Sequence, residues 1–109
     1  YVHEKYRPKP YHFCSSLKYK NLKKLNGFDI DFRSGHGFDD DELLLRINRL
    51  KLHINYIQEP HVFHLWHSRS PIDQNIINKY SLNLKIFNSK QTSTNYEANT
   101  NTFFGKKIK

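Results

Sequence analysis

Cysteine, methionine and tryptophan are nearly missing from this sequence. Its 109 residues include one Cys, one Trp and no Met. The single Cys14 excludes an intramolecular disulfide and any zinc site built from several cysteines. It also suits a reducing compartment, so we expect a cytoplasmic location. A core would have to be built on Phe, Tyr, Leu and Ile.

Long apolar stretches are missing as well. No run approaches the ~18 apolar residues of a membrane-spanning helix, so the sequence predicts no transmembrane segment. The first residues, YVHE, lack the initiating Met and the apolar region of a signal peptide. The length suits one small domain. A start at Tyr1 indicates a processed product or a fragment of a longer protein.

Acidic residues are scarce, with ten Asp and Glu against 18 Lys and Arg and a formal net charge of +8. Such a balance is typical of proteins that meet nucleic acid, anionic membranes or phosphorylated ligands. The densest basic stretches, 18–24 and 105–109, lack the interleaved aromatics of a single-strand binder. A solvated basic surface is the simpler interpretation and nucleic acid the less favoured partner. A module that binds RNA or another polyanion stays open as an alternative.

Apolar spacing predicts a helix over residues 16–25 that ends at the Asn26-Gly27 pair, a typical left-handed C-cap. Its N-cap would be one of two serines, Ser15 or Ser16. A second helix begins near Asp39, because apolar residues then recur at spacings of three and four. A third begins at Pro71, with Ser70 as its N-cap.

Two runs with β-favouring residues, 52–58 and 61–66, predict short strands on either side of Pro60. We expect one domain over residues 1–87. Residues 88–109 are polar and low in complexity, which predicts a mobile tail.

Four consecutive acids open the second helix. Each acid in a first helical turn contributes about 0.3–1 kcal/mol through the helix dipole, so one or two would suffice for capping. Four repel one another, and a tolerated local cost tends to mark functional sites. Gly35 and Gly37 precede them and let the backbone turn sharply or approach a ligand closely. Capping and a functional site both stay open for these residues: Asp39, Asp40, Asp41 and Glu42.

Histidines recur at every third position in HVFHLWH, as His61, His64 and His67. Residues three apart on an extended strand face opposite sides, so a bend is needed before His64 and His67 can bind one metal ion. The HxxH spacing alone is a weak motif. Structural histidines and metal ligands both stay open, and a zinc site that also uses Cys14 is a further, less favoured option.

Together the features have a specific order. A short helix leads to NGFD, then to GHGFDDDELLLR and, after a strand and a proline, to HLWHSR. Over about residues 11–80 this order resembles the C-terminal half of GT-A glycosyltransferases, especially family 2 enzymes and the β-1,4-galactosyltransferase-like group. The resemblance implies the C-terminal portion of a GT-A (Rossmann-like) α/β fold. It also implies that an N-terminal donor-binding half is missing, since the DxD at residues 29–31 lies inside the NGFD loop.

The resemblance implies a metal-dependent, inverting transfer from a nucleotide-sugar donor, expected to be a UDP-sugar, to a glycan or protein acceptor. Asp40 matches the general base that deprotonates the acceptor hydroxyl, and Asp39 matches the acid that hydrogen-bonds the acceptor sugar. His67 and His64 match ligands of a divalent metal, Mn or Mg, which neutralises the departing diphosphate. The remaining matched positions would bind substrate: Gly35, His36, Gly37, Phe38, Asp41, Glu42 and Arg46.

One departure from the family pattern is visible in the acid pair. The family has Glu-Asp where this chain has Asp39-Asp40, which shortens one side chain by a methylene. Because the donor-binding half is missing as well, we expect the chain by itself to be an inactive fragment of a transferase. A degenerate transferase-like domain with a structural role is the third alternative.

Overall fold

The structure, a computed structural model, describes residues 15–57, 59, 65–69 and 71–106. It contains α1 (Tyr19–Leu25), a 3₁₀ helix (Ile30–Ser34), α2 (Asp39–Arg49) and α3 (Gln74–Lys90). No strand occurs in these parts of the chain. No helix found there has the length and apolar character needed to cross a membrane.

Helix α1 ends as predicted and begins later than predicted. Asn26 has φ 56°, in the left-handed region, and its N–H donates to Lys23 O at 3.1 Å. Asparagine tolerates this conformation, so the C-cap prediction is confirmed. The serine N-cap is wrong, because the helix begins at Tyr19 and Lys18 precedes it without a side-chain cap.

Helix α2 begins at Asp39, as predicted, and ends at Arg49. The first turn holds the four acids and the last turn holds Arg46 and Arg49, so both ends complement the helix dipole. Helix α2 also supplies one of four buried apolar residues of the small core: Leu25, Phe32, Leu43 and Ala98.

Helix α3 begins three residues after the predicted start. The carboxylate of Asp73 accepts the N–H of Ile76 at 2.8 Å. This bond satisfies a backbone donor of the first turn, so Asp73 is the N-cap. The predicted cap, Ser70, lies outside the described residues. Helix α3 packs against the 3₁₀ helix and α2.

The two predicted strands are only partly described. Residues 52–57 are irregular, although their burial still alternates between half-buried Leu52 and Ile54 and exposed His53 and Asn55. A strand exists only when a neighbour pairs with its backbone, and the described residues offer this segment no such neighbour. Residues 65–66 of the second run are irregular as well. The α/β class therefore stays a prediction.

The polar C-terminal segment is packed against the rest of the chain. Ala98 is buried, and its N–H donates to Leu25 O at 3.1 Å. The guanidinium of Arg49 donates to Lys90 O at 2.7 Å and to Asn95 O at 3.1 Å. Within residues 88–106, polar side chains and backbone carbonyls thus pair with other parts of the chain, while the domain division at residue 88 and the mobility of the segment stay predictions.

Candidate active site

The acid cluster lies at the N-terminus of α2 and divides into two pairs. Asp39 and Asp40 are half-buried, whereas Asp41 and Glu42 are buried. The Asp40 carboxylate accepts the N–H of Asp41 at 2.9 Å. The two predicted catalytic acids are therefore adjacent and partly open to solvent, at a helix end that stabilises negative charge.

Glu42 and Arg46 form a buried ion pair one helical turn apart. Arg46 Nε donates to both Glu42 carboxylate oxygens, at 2.7 and 2.9 Å, and the residues are 1% and 2% exposed. Arg46 Nη1 also donates to Leu25 O at 2.7 Å and to Gly27 O at 3.0 Å. Substrate binding was predicted for both residues. The structure places this pair where it joins the end of α1 to α2 with almost no exposed surface, and the substrate-binding role of both residues stays a prediction.

The glycine loop, residues 35–38, precedes α2 and contacts α3. His36 N–H donates to Lys79 O at 3.2 Å. Phe38 has φ 69°, which is strained for a bulky residue, and its carbonyl accepts the Glu42 N–H at 2.9 Å. Gly37 has φ 73°, which favours glycine. The loop therefore turns sharply at residues 37–38, directly before the half-buried acids Asp39 and Asp40.

Phe38, which directly precedes Asp39, packs with Tyr80 and Phe87 of α3 to form an aromatic wall. The Phe38 ring centroid is 4.8 Å from that of Tyr80 and 5.4 Å from that of Phe87. Tyr80 is 48% exposed, so part of this wall faces solvent. Sequence reasoning missed Tyr80 and Phe87. Their seven-residue spacing on one predicted helix was visible, but nothing in the sequence says which loop that face meets.

His67 is exposed, and its Nδ1 lies 3.0 Å from Ser68 O. An imidazole that donates from Nδ1 to a carbonyl carries its lone pair on Nε2, the arrangement common in metal-ligating histidines. His64 lies outside the described residues. In the part of the chain that the structure covers, no three His, Cys, Asp or Glu side chains gather as a metal site would require. The metal site therefore stays a prediction.

A polar cleft of about 280 Å³ lies elsewhere, between the 3₁₀ helix, α2 and the C-terminal segment, and neither Asp39 nor Asp40 lines it. Arg46, Arg49 and Lys90 are among its lining residues, and Lys90 is paired, with Nζ 2.6 Å from Asp29 Oδ2 and 2.8 Å from Asp31 Oδ2. Burial lowers the pKa of Lys90, but the hydrogen bonds and charges of the two aspartates outweigh burial and raise it. We interpret this cleft as a gap between packed segments and place the candidate active site at Asp39 and Asp40.

Comparison with known proteins identifies the family of the chain. Residues 5–68 match the family model described as the N-terminal domain of galactosyltransferase. The chain belongs to this galactosyltransferase family. The match covers more than half of the chain and includes the glycine loop, the acid cluster and His67. No curated protein and no solved structure matches the chain.

Family membership confirms the general activity implied by the resemblance. The galactosyltransferase-like chain is a glycosyltransferase in the broad sense, which implies a nucleotide-sugar donor and an acceptor. The matched family is described as an N-terminal domain, whereas the resemblance pointed to a C-terminal half of a GT-A fold. The family is therefore shown, and the half and the GT-A fold stay predictions. Helix α3, with Tyr80 and Phe87, lies beyond the matched residues.

Proposed function

We propose that this chain carries the acceptor-binding and general-base part of a glycosyltransferase that uses a UDP-sugar donor. The observation that carries the proposal is the pair Asp39 and Asp40, which lies half-exposed at a helix N-terminus inside the matched family region. The neighbouring acids Asp41 and Glu42 are buried, which leaves this pair as the reactive part of the cluster.

Asp40 acts as the general base in this proposal. Its carboxylate accepts the proton of the acceptor hydroxyl while the hydroxyl oxygen forms a bond to the anomeric carbon of the donor sugar. The bond from that carbon to the diphosphate breaks, and its electron pair leaves with the diphosphate. Attack from the face opposite the leaving group inverts the anomeric centre. Asp40 lies in the first turn of α2, where the positive end of the helix dipole is located.

Asp39 and the aromatic wall hold the acceptor. A carboxylate accepts hydrogen bonds from sugar hydroxyls, and the apolar face of a sugar ring packs on an aromatic side chain. Tyr80 supplies such a side chain, half-exposed and in contact with Phe38, which directly precedes Asp39. A carboxylate beside an exposed ring suits a glycan acceptor better than a charged one.

The donor side needs a divalent metal, for which His67 is the described candidate. A bound Mn²⁺ or Mg²⁺ would neutralise the charge that develops on the departing diphosphate. One imidazole fits as a single ligand of such an oxygen-rich site. His67 would supply it, and the other ligands, His64 among them, would have to come from outside the described residues. The upstream donor-binding half is part of the same proposal.

The test is a transfer assay on the protein as its gene encodes it, with UDP-galactose, Mn²⁺ and a panel of monosaccharide acceptors. Asp40→Asn keeps the size of the side chain and removes the base, so we expect transfer to fall roughly 100-fold or more. The matched control is Glu97→Gln, an exposed acid of the C-terminal segment, which should transfer like the unchanged protein. Full activity of Asp40→Asn would refute the base assignment. A folded protein that binds neither UDP nor Mn²⁺ would favour the structural alternative.

A further inference from the structure

Asn83 is the only buried residue of α3, a helix whose other residues are exposed or half-exposed. It is 1% exposed. Its carboxamide is only partly satisfied: Nδ2 has acceptors, whereas the buried Oδ1 has no hydrogen-bond partner among the described residues. Burying an unpaired polar group costs about 1–3 kcal/mol. Asparagine is also a poor helix former compared with the apolar residues that usually fill such a position. The presence of an asparagine at this buried position of α3 therefore needs a structural explanation.

The partners of Asn83 lie at both ends of the glycine loop. Nδ2 donates to Phe32 O at 3.2 Å and to Gly37 O at 2.7 Å. Both acceptors are carbonyls, so the orientation of the amide is fixed, since a flipped amide would place its oxygen against two others. One side chain of α3 thus bridges the end of the 3₁₀ helix and the turn that leads into α2.

The Asn83 carboxamide occupies the space beside Gly35 where a Cβ would otherwise lie. Its φ of −105° and ψ of −156° suit any residue, so its backbone conformation does not explain the glycine. A Cβ placed on Gly35 would overlap the Asn83 carboxamide, at 2.7 Å from Nδ2 and closer still to Cγ and Oδ1. Gly35 is therefore required by the space that Asn83 occupies. Gly37 differs, because its φ of 73° alone favours glycine.

The bridged turn is strained and directly precedes the reactive acids. Phe38 holds a left-handed conformation at φ 69°, which persists only when the surroundings enforce it. Gly37 O, held by Asn83, belongs to the peptide bond that enters Phe38. The Phe38 carbonyl then accepts the first hydrogen bond of α2, and Asp39 follows. Asn83 thus connects α3 to the turn from which α2 and its first acids begin.

We propose that Asn83 is a positioning residue of the transfer reaction, which holds the glycine loop so that Asp39 and Asp40 meet the acceptor hydroxyl. The inference rests on the proposed function. It also goes beyond the family match, because Asn83 lies after the matched residues 5–68. A shift of about 1 Å in a positioned group can lower a rate about 100-fold, so loss of the bridge should act on the reaction more than on donor binding.

The experiment uses the protein as its gene encodes it, at a temperature well below its unfolding midpoint. The first variant is Asn83→Ala, which removes both donors. The second is Gly35→Ala with Asn83→Ala, in which the added methyl group fills part of the vacated space and protects the fold. The control is Asn75→Ala, an exposed asparagine of the same helix. Transfer from UDP-galactose is measured against acceptor concentration, and binding of UDP with Mn²⁺ is measured by calorimetry.

We expect both Asn83 variants to lose roughly 10- to 100-fold in kcat/KM for the acceptor, with an unchanged Kd for UDP and Mn²⁺. The control should match the unchanged protein in both measurements. A lower unfolding midpoint with unchanged kcat/KM per folded molecule would overturn the proposal and leave Asn83 a stabilising residue. An equal loss of UDP binding would overturn it too. Asp40→Asn, assayed in parallel, reports separately on the proposed function.

Discussion

Asn26 and Asn99 lie 73 positions apart in the chain, and each donates a hydrogen bond from Nδ2 to the other's backbone carbonyl at 3.1 Å. Both residues have a positive φ, 56° and 52°. Asn26 Nδ2 also donates to Ala98 O and Thr102 O, both at 2.9 Å. This reciprocal pair fastens the C-terminal segment to the end of α1.

The first prediction concerns this pair. Asn26→Ala removes three hydrogen bonds and places Ala in the left-handed region, so we expect a loss of roughly 2–4 kcal/mol in the free energy of unfolding. Asn26→Gly keeps the conformation and should lose about 1 kcal/mol less. Urea denaturation measures both. An equal loss for the two variants would mean that the conformation of Asn26 contributes nothing.

A second prediction concerns the buried ion pair of Glu42 and Arg46. Arg46→Met leaves a carboxylate buried without its partner, and we expect a loss of about 3–5 kcal/mol in the free energy of unfolding. The double change Glu42→Leu with Arg46→Met removes both charges and should lose less. The comparison is made by urea denaturation. A double variant that is less stable than Arg46→Met would contradict this prediction, because the unpaired carboxylate of Glu42 would then not be the main cost.

The third prediction follows from the raised pKa of Lys90. Its hydrogen bonds to Asp29 and Asp31 favour the charged amine in the folded protein. The contribution is therefore complete below the ordinary pKa of 10.5 and is lost as pH rises through the higher pKa of the folded state. We expect Lys90→Met to be less stable than the unchanged protein at pH 7–9, with the difference shrinking above about pH 10.5.

Urea denaturation across pH 7–11 measures this difference, and Lys85→Met, an exposed lysine of α3, serves as the control. The control should track the unchanged protein throughout that range. A Lys90→Met difference that stays constant to pH 11 would contradict the assignment.

A fourth prediction separates the two glycines of the loop. Gly37→Ala forces a left-handed conformation on Ala and should cost about 1–2 kcal/mol of stability, whereas Gly37→Asn should cost less. Gly35→Ala should destabilise because its methyl group meets Asn83. Adding Asn83→Ala should rescue Gly35→Ala and leave Gly37→Ala unrescued. Thermal unfolding of these five variants tests this, and rescue of Gly37→Ala would count against it.

The fifth prediction concerns the metal. If His67 supplies a ligand, calorimetry with Mn²⁺ and a UDP-sugar should show binding that His67→Ala weakens at least ten-fold. His53→Ala, at an exposed histidine of the irregular segment, is the control and should bind normally. Equal binding by both variants would remove His67 from the proposed site.

The sequence predicted where the acids of the candidate site lie in α2. It did not predict which of them are buried or which distant residues contact the site, and both gaps have the same cause. Capping and helix period placed Asp39 at the start of a helix, which the structure confirms. Neither could show that Glu42 and Arg46 turn inward while Asp40 stays half-exposed, because that depends on where α1 packs. Asn83 and Tyr80 were missed for the same reason, since their partners lie more than 40 positions away.

By itself, the sequence determined the local features of this galactosyltransferase-family chain: the left-handed cap at Asn26, the turn at Gly37 and the acidic start of α2. Each depends on neighbours within a few residues, where side-chain chemistry limits the backbone directly. Only the tertiary structure decided which acids are buried, why Gly35 has no side chain, and that the polar residues after 88 pack on α1. Those outcomes depend on contacts between distant segments, which residue spacing does not encode.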